Sequence, residues 1–244
     1  MKQQKPGLGR MWNLYKKGGI TPAVSSMFNN QNAQQMAFIR SVMKNQRKTS
    51  ISEMQLNELE VVVFDLETTG FSPNQGDEII SIGAVLVEGT EIRTKKTFYT
   101  VTNPNRSIPD HIVKLTGITN EMALKGAQLI DALHQFLGFA NKRVLLAHGT
   151  GHDKQFLNSA LWKTSRIRLS HRVLDTVIIG KWLHPEVKTY DLDTLLNMYD
   201  IPITERHHAL QDSLMTAQLW IKFLQKIMKK NIFTLGDLYA YLGK

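Results

Sequence analysis

The pattern of hydrophobic and polar positions changes near residue 60. VVVF at 61–64 predicts a buried central strand, and EIISIGAVLV at 78–87 predicts a second. Residues 91–101 alternate between polar and apolar and predict a third strand. Glu88, Gly89 and Thr90 lie between the last two, so we expect them to form the turn of a hairpin.

Helical spacing of apolar residues dominates the rest of the chain. It predicts helices over residues 108–116, 126–140, 151–162, 192–199, 208–229 and 234–242. The short apolar run at 143–147 predicts one further buried strand. The segment 173–182 contains several β-branched residues, so the pattern is compatible with either a strand or a helix there. Hairpin-linked strands followed by alternating strands and helices predict an α/β fold with a mixed central sheet and helices on both faces.

The positive charge of the chain is confined to its beginning. The formal net charge is +9, and residues 1–50 hold nine Lys and Arg residues without an Asp or Glu. The rest of the chain is balanced. We therefore predict a basic N-terminal arm at 1–57, partly helical or disordered, and one α/β domain at 58–244. Within the arm, Met36, Ile39 and Met43 have the spacing of one helical face.

Composition excludes several classes of protein. The chain has no cysteine, which rules out disulfides, zinc–thiolate sites and cysteine nucleophiles. No run of eighteen apolar residues and no signal-peptide pattern is present, so we expect a cytoplasmic protein without integral membrane association.

Two carboxylates follow the first predicted strand. Asp65 and Glu67 are two residues apart, so both side chains point to one face of the strand at its carboxyl end. Burying two unpaired carboxylates side by side is unfavourable. Taken alone, the pair fits a strand end that meets solvent, but it also fits a site that holds a cation.

Two further acidic residues stand in similar places. Asp153 lies in the first turn of the helix after strand 143–147. Asp212 lies near the start of helix 208–229, one turn beyond His208, which follows His207. Each alone would fit an exposed helix start. Together with Asp65 and Glu67, they form a four-carboxylate set.

Oxygen ligands without cysteine select a hard cation, Mg²⁺ or Mn²⁺, and two such ions can stabilise both oxygens of a phosphoryl displacement. A histidine beside them can accept a proton from water. The set therefore predicts a site for two divalent cations.

Three motifs carry a resemblance to a known family. FDLETTG at 64–70, His148 with Asp153, and H-x-A-x-x-D at 207–212 resemble, in this order, the motifs of the DEDDh (DnaQ-like) 3′–5′ exonucleases. That family includes the epsilon proofreading subunit of bacterial DNA polymerase III. The resemblance covers about residues 60–230 and implies a ribonuclease H-like exonuclease fold.

The resemblance also implies the roles of individual residues. Metal ligands would be Asp65, Glu67, Asp153 and Asp212, and His207 would be the general base. Substrate contacts would come from the first motif and the strand end before the second, namely Leu66, Thr68, Thr69, Gly70 and His148. The family's second motif begins His-Asn and ends Phe-Asp, whereas this chain has Gly149 and His152 at the variant positions.

The predicted function is 3′–5′ exonuclease action on single-stranded nucleic acid, with DNA favoured over RNA and nucleoside 5′-monophosphates released. Three alternatives stay open: an exoribonuclease, a non-catalytic binding module of the same fold, and a zinc site made from His148, His152 and His207. Predicted partners are nucleic-acid 3′ ends and, through the arm, a DNA polymerase or another protein.

Overall fold

The computed structural model describes residues 22–46 and 53–243. Five strands form one mixed sheet: β1 (Glu60–Thr68), β2 (Ile79–Glu88), β3 (Glu91–Val101), β4 (Val144–Ala147) and β5 (Val173–Asp175). The sheet order is β3-β2-β1-β4-β5. The first three strands pair antiparallel, and β4 and β5 continue the sheet in parallel with β1.

Nine α-helices surround the sheet within the described residues. They are α1 (Pro22–Gln46), α2 (Asp110–Thr116), α3 (Asn120–Leu124), α4 (Leu129–Ala140), α5 (Gly151–Ser165), α6 (Thr176–Leu183), α7 (Leu192–Met198), α8 (Ala209–Lys229) and α9 (Leu235–Leu242). None of these described helices is long and apolar enough to cross a membrane.

Alternation along β1 divides the core between the two faces of the sheet. Val61 and Val63 face a cluster that includes α6, α7, α8 and α9. Val62, Phe64 and Leu66 face a second cluster, which includes α4 and α5. Because side chains alternate along a strand, Asp65 and Glu67 continue the face that α8 covers. The predicted mixed sheet with helices on both faces is therefore observed.

The ambiguous segment 173–182 contains both elements in sequence. Three residues form β5, and the helix α6 begins directly after Asp175. The Asp175 side chain accepts a hydrogen bond from the Val177 amide, which caps the new helix. The short helix α3, absent from the sequence prediction, begins where the Thr119 side chain caps its first turn.

The helix α1 packs on the outside of α4 and α5. Ile39 and Met43 are fully or almost fully buried there, and Met36 is half-buried. The Met43 carbonyl accepts a hydrogen bond from the Ser170 hydroxyl at 2.6 Å. This part of the basic segment is thus docked on the domain. Residues 1–21 and 47–52 lie outside the described residues, and the division at residue 57 stays a prediction.

Candidate active site

The candidate site is a pocket of about 360 Å³ at the carboxyl end of β1. We call it the carboxylate pocket. Its lining comes from β1 and the turn after it, α2, the end of β4, the start of α5, the start of α7 and the segment before α8. Acidic and basic lining residues are Asp65, Glu67, His148, His152, Asp191, Arg206, His207 and Asp212.

Three of the four predicted metal ligands converge in this pocket. One carboxylate oxygen from each of Asp65, Glu67 and Asp212 lies within 4.8 Å of the others. Glu67 and Asp212 are buried and Asp65 is half-buried. Such a cluster of oxygen donors fits a hard divalent cation, which would offset the mutual repulsion of the carboxylates.

Burial dominates the protonation behaviour of these groups. It raises the pKa of Glu67 to about 8, and the neighbouring Asp212 and Asp153 charges contribute to that rise. Burial also raises the pKa of Asp65 well above its usual range, with Asp153 and Glu67 adding to the effect. The pKa of Asp212 is raised mainly by burial, against the opposing charge of Arg206.

Asp153, the fourth predicted ligand, is buried and lies close enough for its charge to raise the pKa values of Asp65 and Glu67. It is not among the residues whose oxygens gather within 4.8 Å. Its carboxylate is paired at 3.4 Å with the Nδ1 atom of His152. Burial raises the pKa of Asp153, and its hydrogen bond raises the pKa of His152. The departure at 152 from the family pattern therefore places a base beside a predicted ligand.

A close approach between β2 and α8 brings Asp212 to the pocket. Gly83 lies opposite Asp65 in the sheet, and a Cβ atom on it would come within 2.2 Å of the Ala209 backbone. The Ser213 hydroxyl donates a hydrogen bond to the Gly83 carbonyl at 3.1 Å. A glycine and a small helix-start residue thus let α8 lie directly over the strand pair.

The two adjacent histidines have different surroundings. His207 lines the pocket in a left-handed backbone conformation with φ of 60°, and its amide donates to Asp212 at 2.9 Å. His208 stands at the start of α8, and its ring stacks on Tyr99 with centroids 4.6 Å apart. Of the two, only His207 is among the residues that line the carboxylate pocket, and its role as general base stays a prediction.

The predicted substrate contacts divide into two groups. Thr68, Gly70 and His148 line the pocket, with the His148 Nδ1 atom 2.8 Å from the Thr176 hydroxyl. Leu66 also lines it, although its side chain is buried in the core. Thr69 does not line it, because its buried hydroxyl donates to Asp77 at 3.0 Å and closes the turn.

The three motifs did not predict the guanidinium that lies in the pocket. Arg206 forms ion pairs with Asp212 and with Asp193, the latter at 2.6 Å from its Nε atom. Its charge partly offsets the rise in the pKa values of Asp65, Glu67 and Asp212 that burial causes. Two features of the sequence could have indicated Arg206. The clustered carboxylates require a positive charge nearby, and Arg206 directly precedes His207 in the third motif.

The motifs did not predict the apolar lining residues either. Phe71 is 79% exposed and Leu115 is 45% exposed, and both line the pocket with Ile112. The Phe71 ring meets His152 edge-on with centroids 5.9 Å apart. The rim of the carboxylate pocket is therefore apolar on one side, which suits a flat ring such as a nucleobase.

Comparison with known proteins identifies the family. A family model described as an exonuclease (RNase_T) matches residues 62–220. The PolC-type DNA polymerase III of Caldanaerobacter subterraneus is 38% identical over 194 residues, or 80% of this chain and 14% of that protein. The DNA polymerase III subunit epsilon-like protein of Rhodobacter capsulatus is 31% identical over 199 residues, or 81% of this chain and 28% of that protein. The chain thus spans a minor part of each relative.

Solved structures agree on the fold. Exonuclease X in complex with 5′-overhanging duplex DNA aligns with a TM-score of 0.57 at 20% identity, over 68% of this chain and 92% of that one. The nuclease domain of 3′hExo, a DEDDh family member bound to rAMP, aligns with a TM-score of 0.56 at 24% identity, with the same coverage. The family model over residues 62–220 and the two relatives therefore show that the chain belongs to the exonuclease family, which confirms the resemblance of its three motifs and the prediction of an exonuclease.

Proposed function

We propose that this chain removes nucleotides one at a time from the 3′ end of single-stranded nucleic acid, preferably DNA, and releases nucleoside 5′-monophosphates. The observation that carries the proposal is the convergence of Asp65, Glu67 and Asp212 in one pocket. The preference for DNA is supported by one relative named as a PolC-type DNA polymerase III and another named as a DNA polymerase III subunit epsilon-like protein.

The carboxylates would hold two divalent cations, Mg²⁺ or Mn²⁺, with Asp153 completing the set. When bound, such cations stabilise negative charge on the attacking and leaving oxygens of an in-line phosphoryl displacement. Asp153 would supply its carboxylate after exchanging the contact with His152, which the 3.4 Å separation of this pair makes a weak one.

His207 would act as the general base. Its backbone amide donates a hydrogen bond to Asp212, and the residue lines the carboxylate pocket, which supports this role. In its neutral form it would accept the proton of the attacking water. Arg206 would balance the carboxylate charge and offer donors to a phosphate, since a guanidinium fits phosphate oxygens well.

The test is hydrolysis of 5′-labelled single-stranded DNA and RNA oligomers with Mg²⁺, Mn²⁺ or a chelator. We expect a ladder that shortens from the 3′ end, faster on DNA, and no reaction with the chelator. Shortening from the 5′ end, or no hydrolysis with either metal, would contradict the proposal. A faster reaction on RNA would support the exoribonuclease alternative.

The PolC-type relatives are polymerases of which this chain matches about one seventh. We propose on that basis that the chain works beside a DNA polymerase, with residues 1–21 of the arm as the contact. Co-purification of the full chain, but not of a chain that lacks residues 1–21, with a replicative polymerase would support this. Equal recovery of both chains would contradict it.

A further inference from the structure

We propose that a groove on the outer face of α5 binds the substrate strand upstream of its 3′-terminal nucleotide. This inference rests on the proposed function and adds a second nucleic-acid contact to it. The groove has a volume of about 360 Å³ and is lined by Asn74, Gln155, Asn158, Ser159, Trp162 and Arg168. We call it the α5 groove.

The α5 groove continues from the carboxylate pocket. His152 lines that pocket at the start of α5, and Gln155 follows it at a distance of one helical turn. On the other side, Phe71 lines the pocket and Asn74, from the same loop, lines the groove. A strand that leaves the pocket past Phe71 and His152 therefore enters the groove.

The groove offers the chemistry that binds single-stranded nucleic acid. Trp162 is 53% exposed, and the guanidinium of Arg166 lies 5.7 Å from its ring centroid. Aromatic rings that stack with bases, flanked by arginines, are the usual means of sequence-tolerant binding. Asn158 is held in place, because its Oδ1 atom accepts a hydrogen bond from the Leu169 amide at 2.9 Å.

The segment that contributes most of the groove lining carries positive charges only. Residues 154–174 contain five Lys and Arg residues and no Asp or Glu, although the chain after residue 50 is neutral as a whole. Arg166 and Arg168 are exposed and have no ion-pair partner within the described part of the chain. They remain available to phosphates, unlike Lys163, which is paired with Glu78.

The length of α5 sets the number of nucleotides that the α5 groove can contact. Trp162 follows His152 by ten residues, which is about 15 Å along a helix axis. A stacked strand advances about 3.4 Å per nucleotide, so the groove would reach about four nucleotides beyond the pocket. We therefore expect it to matter for a 12-mer and to have no effect on a trimer.

The test compares Trp162→Ala and Arg168→Gln with Trp162→Phe, using Phe233→Ala and Lys142→Gln as matched surface controls. Phe233 is 49% exposed, and Lys142 is exposed in the turn before β4, at the opposite end of that strand from His148. Binding of fluorescent single-stranded DNA is measured by anisotropy with a chelator present, and kcat/KM is measured with Mg²⁺ for a trimer and a 12-mer.

We expect Trp162→Ala to weaken 12-mer binding about 5- to 150-fold, since one stacked base is worth about 1–3 kcal/mol. Trp162→Phe should keep most of the affinity. Arg168→Gln should flatten the slope of log K against log salt by about 0.7. Trimer hydrolysis should be unchanged in all variants, and both controls should match the wild type.

Two outcomes would overturn the inference while leaving the proposed function intact. One is that Trp162→Ala and Arg168→Gln degrade and bind the 12-mer as well as the controls do, which would favour a protein partner for this face. The other is an equal loss on trimer and 12-mer, which would place the effect in the pocket. A wild-type chain that hydrolyses neither oligomer would instead contradict the proposed function.

Discussion

At the scale of single residues, the carboxylate pocket concentrates negative charge that the fold must accommodate. Glu67 and Asp212 are buried, and Asp65 lies close to both of them. Part of the compensation is protonation, since burial raises the pKa of each group. Another part is the guanidinium of Arg206.

Asp65→Asn should abolish activity and stabilise the metal-free fold. We expect kcat to fall by far more than tenfold, because the protein would lack a metal ligand. The free energy of unfolding without metal should rise at pH 8, because the amide carries no charge that burial and the neighbouring carboxylates would destabilise. Urea unfolding with a chelator measures this. Activity above about a tenth of the wild-type kcat would contradict the ligand assignment.

The metal-free protein should lose stability as the pH rises. The pKa of Glu67 is about 8 in the folded state and 4.5 ordinarily, so between these values the folded state binds a proton that the unfolded state lacks. Stability therefore falls with rising pH in this window. Urea unfolding from pH 5 to pH 9 with a chelator measures the slope, and Glu67→Gln should flatten it. A stability that rises across the window would contradict the buried, protonated state.

His207→Ala should lower kcat by about 10²- to 10⁴-fold, the usual contribution of a positioned base. His208→Ala should stay near the wild-type kcat, because the His208 ring is stacked on Tyr99. Single-turnover rates for both variants with Mg²⁺ show which of the two histidines is the general base. The reverse ranking would show that the general base is the second histidine.

At the scale of elements, the site depends on how closely α8 lies over the β1–β2 pair. A methyl group on Gly83 would collide with the backbone of Ala209 and Leu210 at 2.2 Å. No flexible side chain can yield there, so the start of α8 would have to move. His207 and Asp212 would move with it.

Gly83→Ala should therefore lower both stability and activity. We expect a loss of about 1–3 kcal/mol in the free energy of unfolding, the usual cost of overpacking, together with weaker binding of Mn²⁺ measured by calorimetry. Gly151→Ala is the matched control for stability, since a Cβ atom there would meet nothing within 4 Å. Equal unfolding midpoints for the two variants would contradict the close approach.

At the scale of the whole molecule, the basic segment contains a charged stretch and a stretch that packs on the domain. Residues 1–20 carry five Lys and Arg residues, whereas Ile39 and Met43 of α1 belong to the core beside α4 and α5. Removal of residues 1–50 would thus strip a core face as well as charge. A shorter deletion separates the two effects.

Deletion of residues 1–20 should flatten the salt dependence of binding to long oligonucleotides, by about 0.7 in slope for each phosphate that the shortened chain no longer neutralises. Turnover of a trimer should stay unchanged. The matched variant is Ile39→Ala in the full chain, which should cost about 2–5 kcal/mol of stability and keep the salt slope. An unchanged slope after the deletion would show that residues 1–20 are not an electrostatic tether.

Local patterns in the sequence were enough to predict most of the fold. Alternation predicted the third strand at 91–101, which is the observed β3, and VVVF predicted the strand at the centre of the sheet. Periodicity reports which side of an element is apolar, and elements with one apolar side have few ways to pack. Periodicity did not resolve the segment 173–182, because a strand of three residues is too short to show a repeating pattern.

The order and types of the acidic residues also came from sequence, since Asp65, Glu67 and Asp212 each stand at a strand end or helix start. Their convergence within 4.8 Å needed the tertiary structure, because it depends on the contact of Gly83 with α8. The pairing of Arg206 with Asp212 also needed the structure, because it depends on the path of the segment before α8. The exposure of Trp162 needed it too, because exposure depends on which elements pack against a side chain. Sequence determined which groups could do the chemistry, and only long-range packing decided which of them meet.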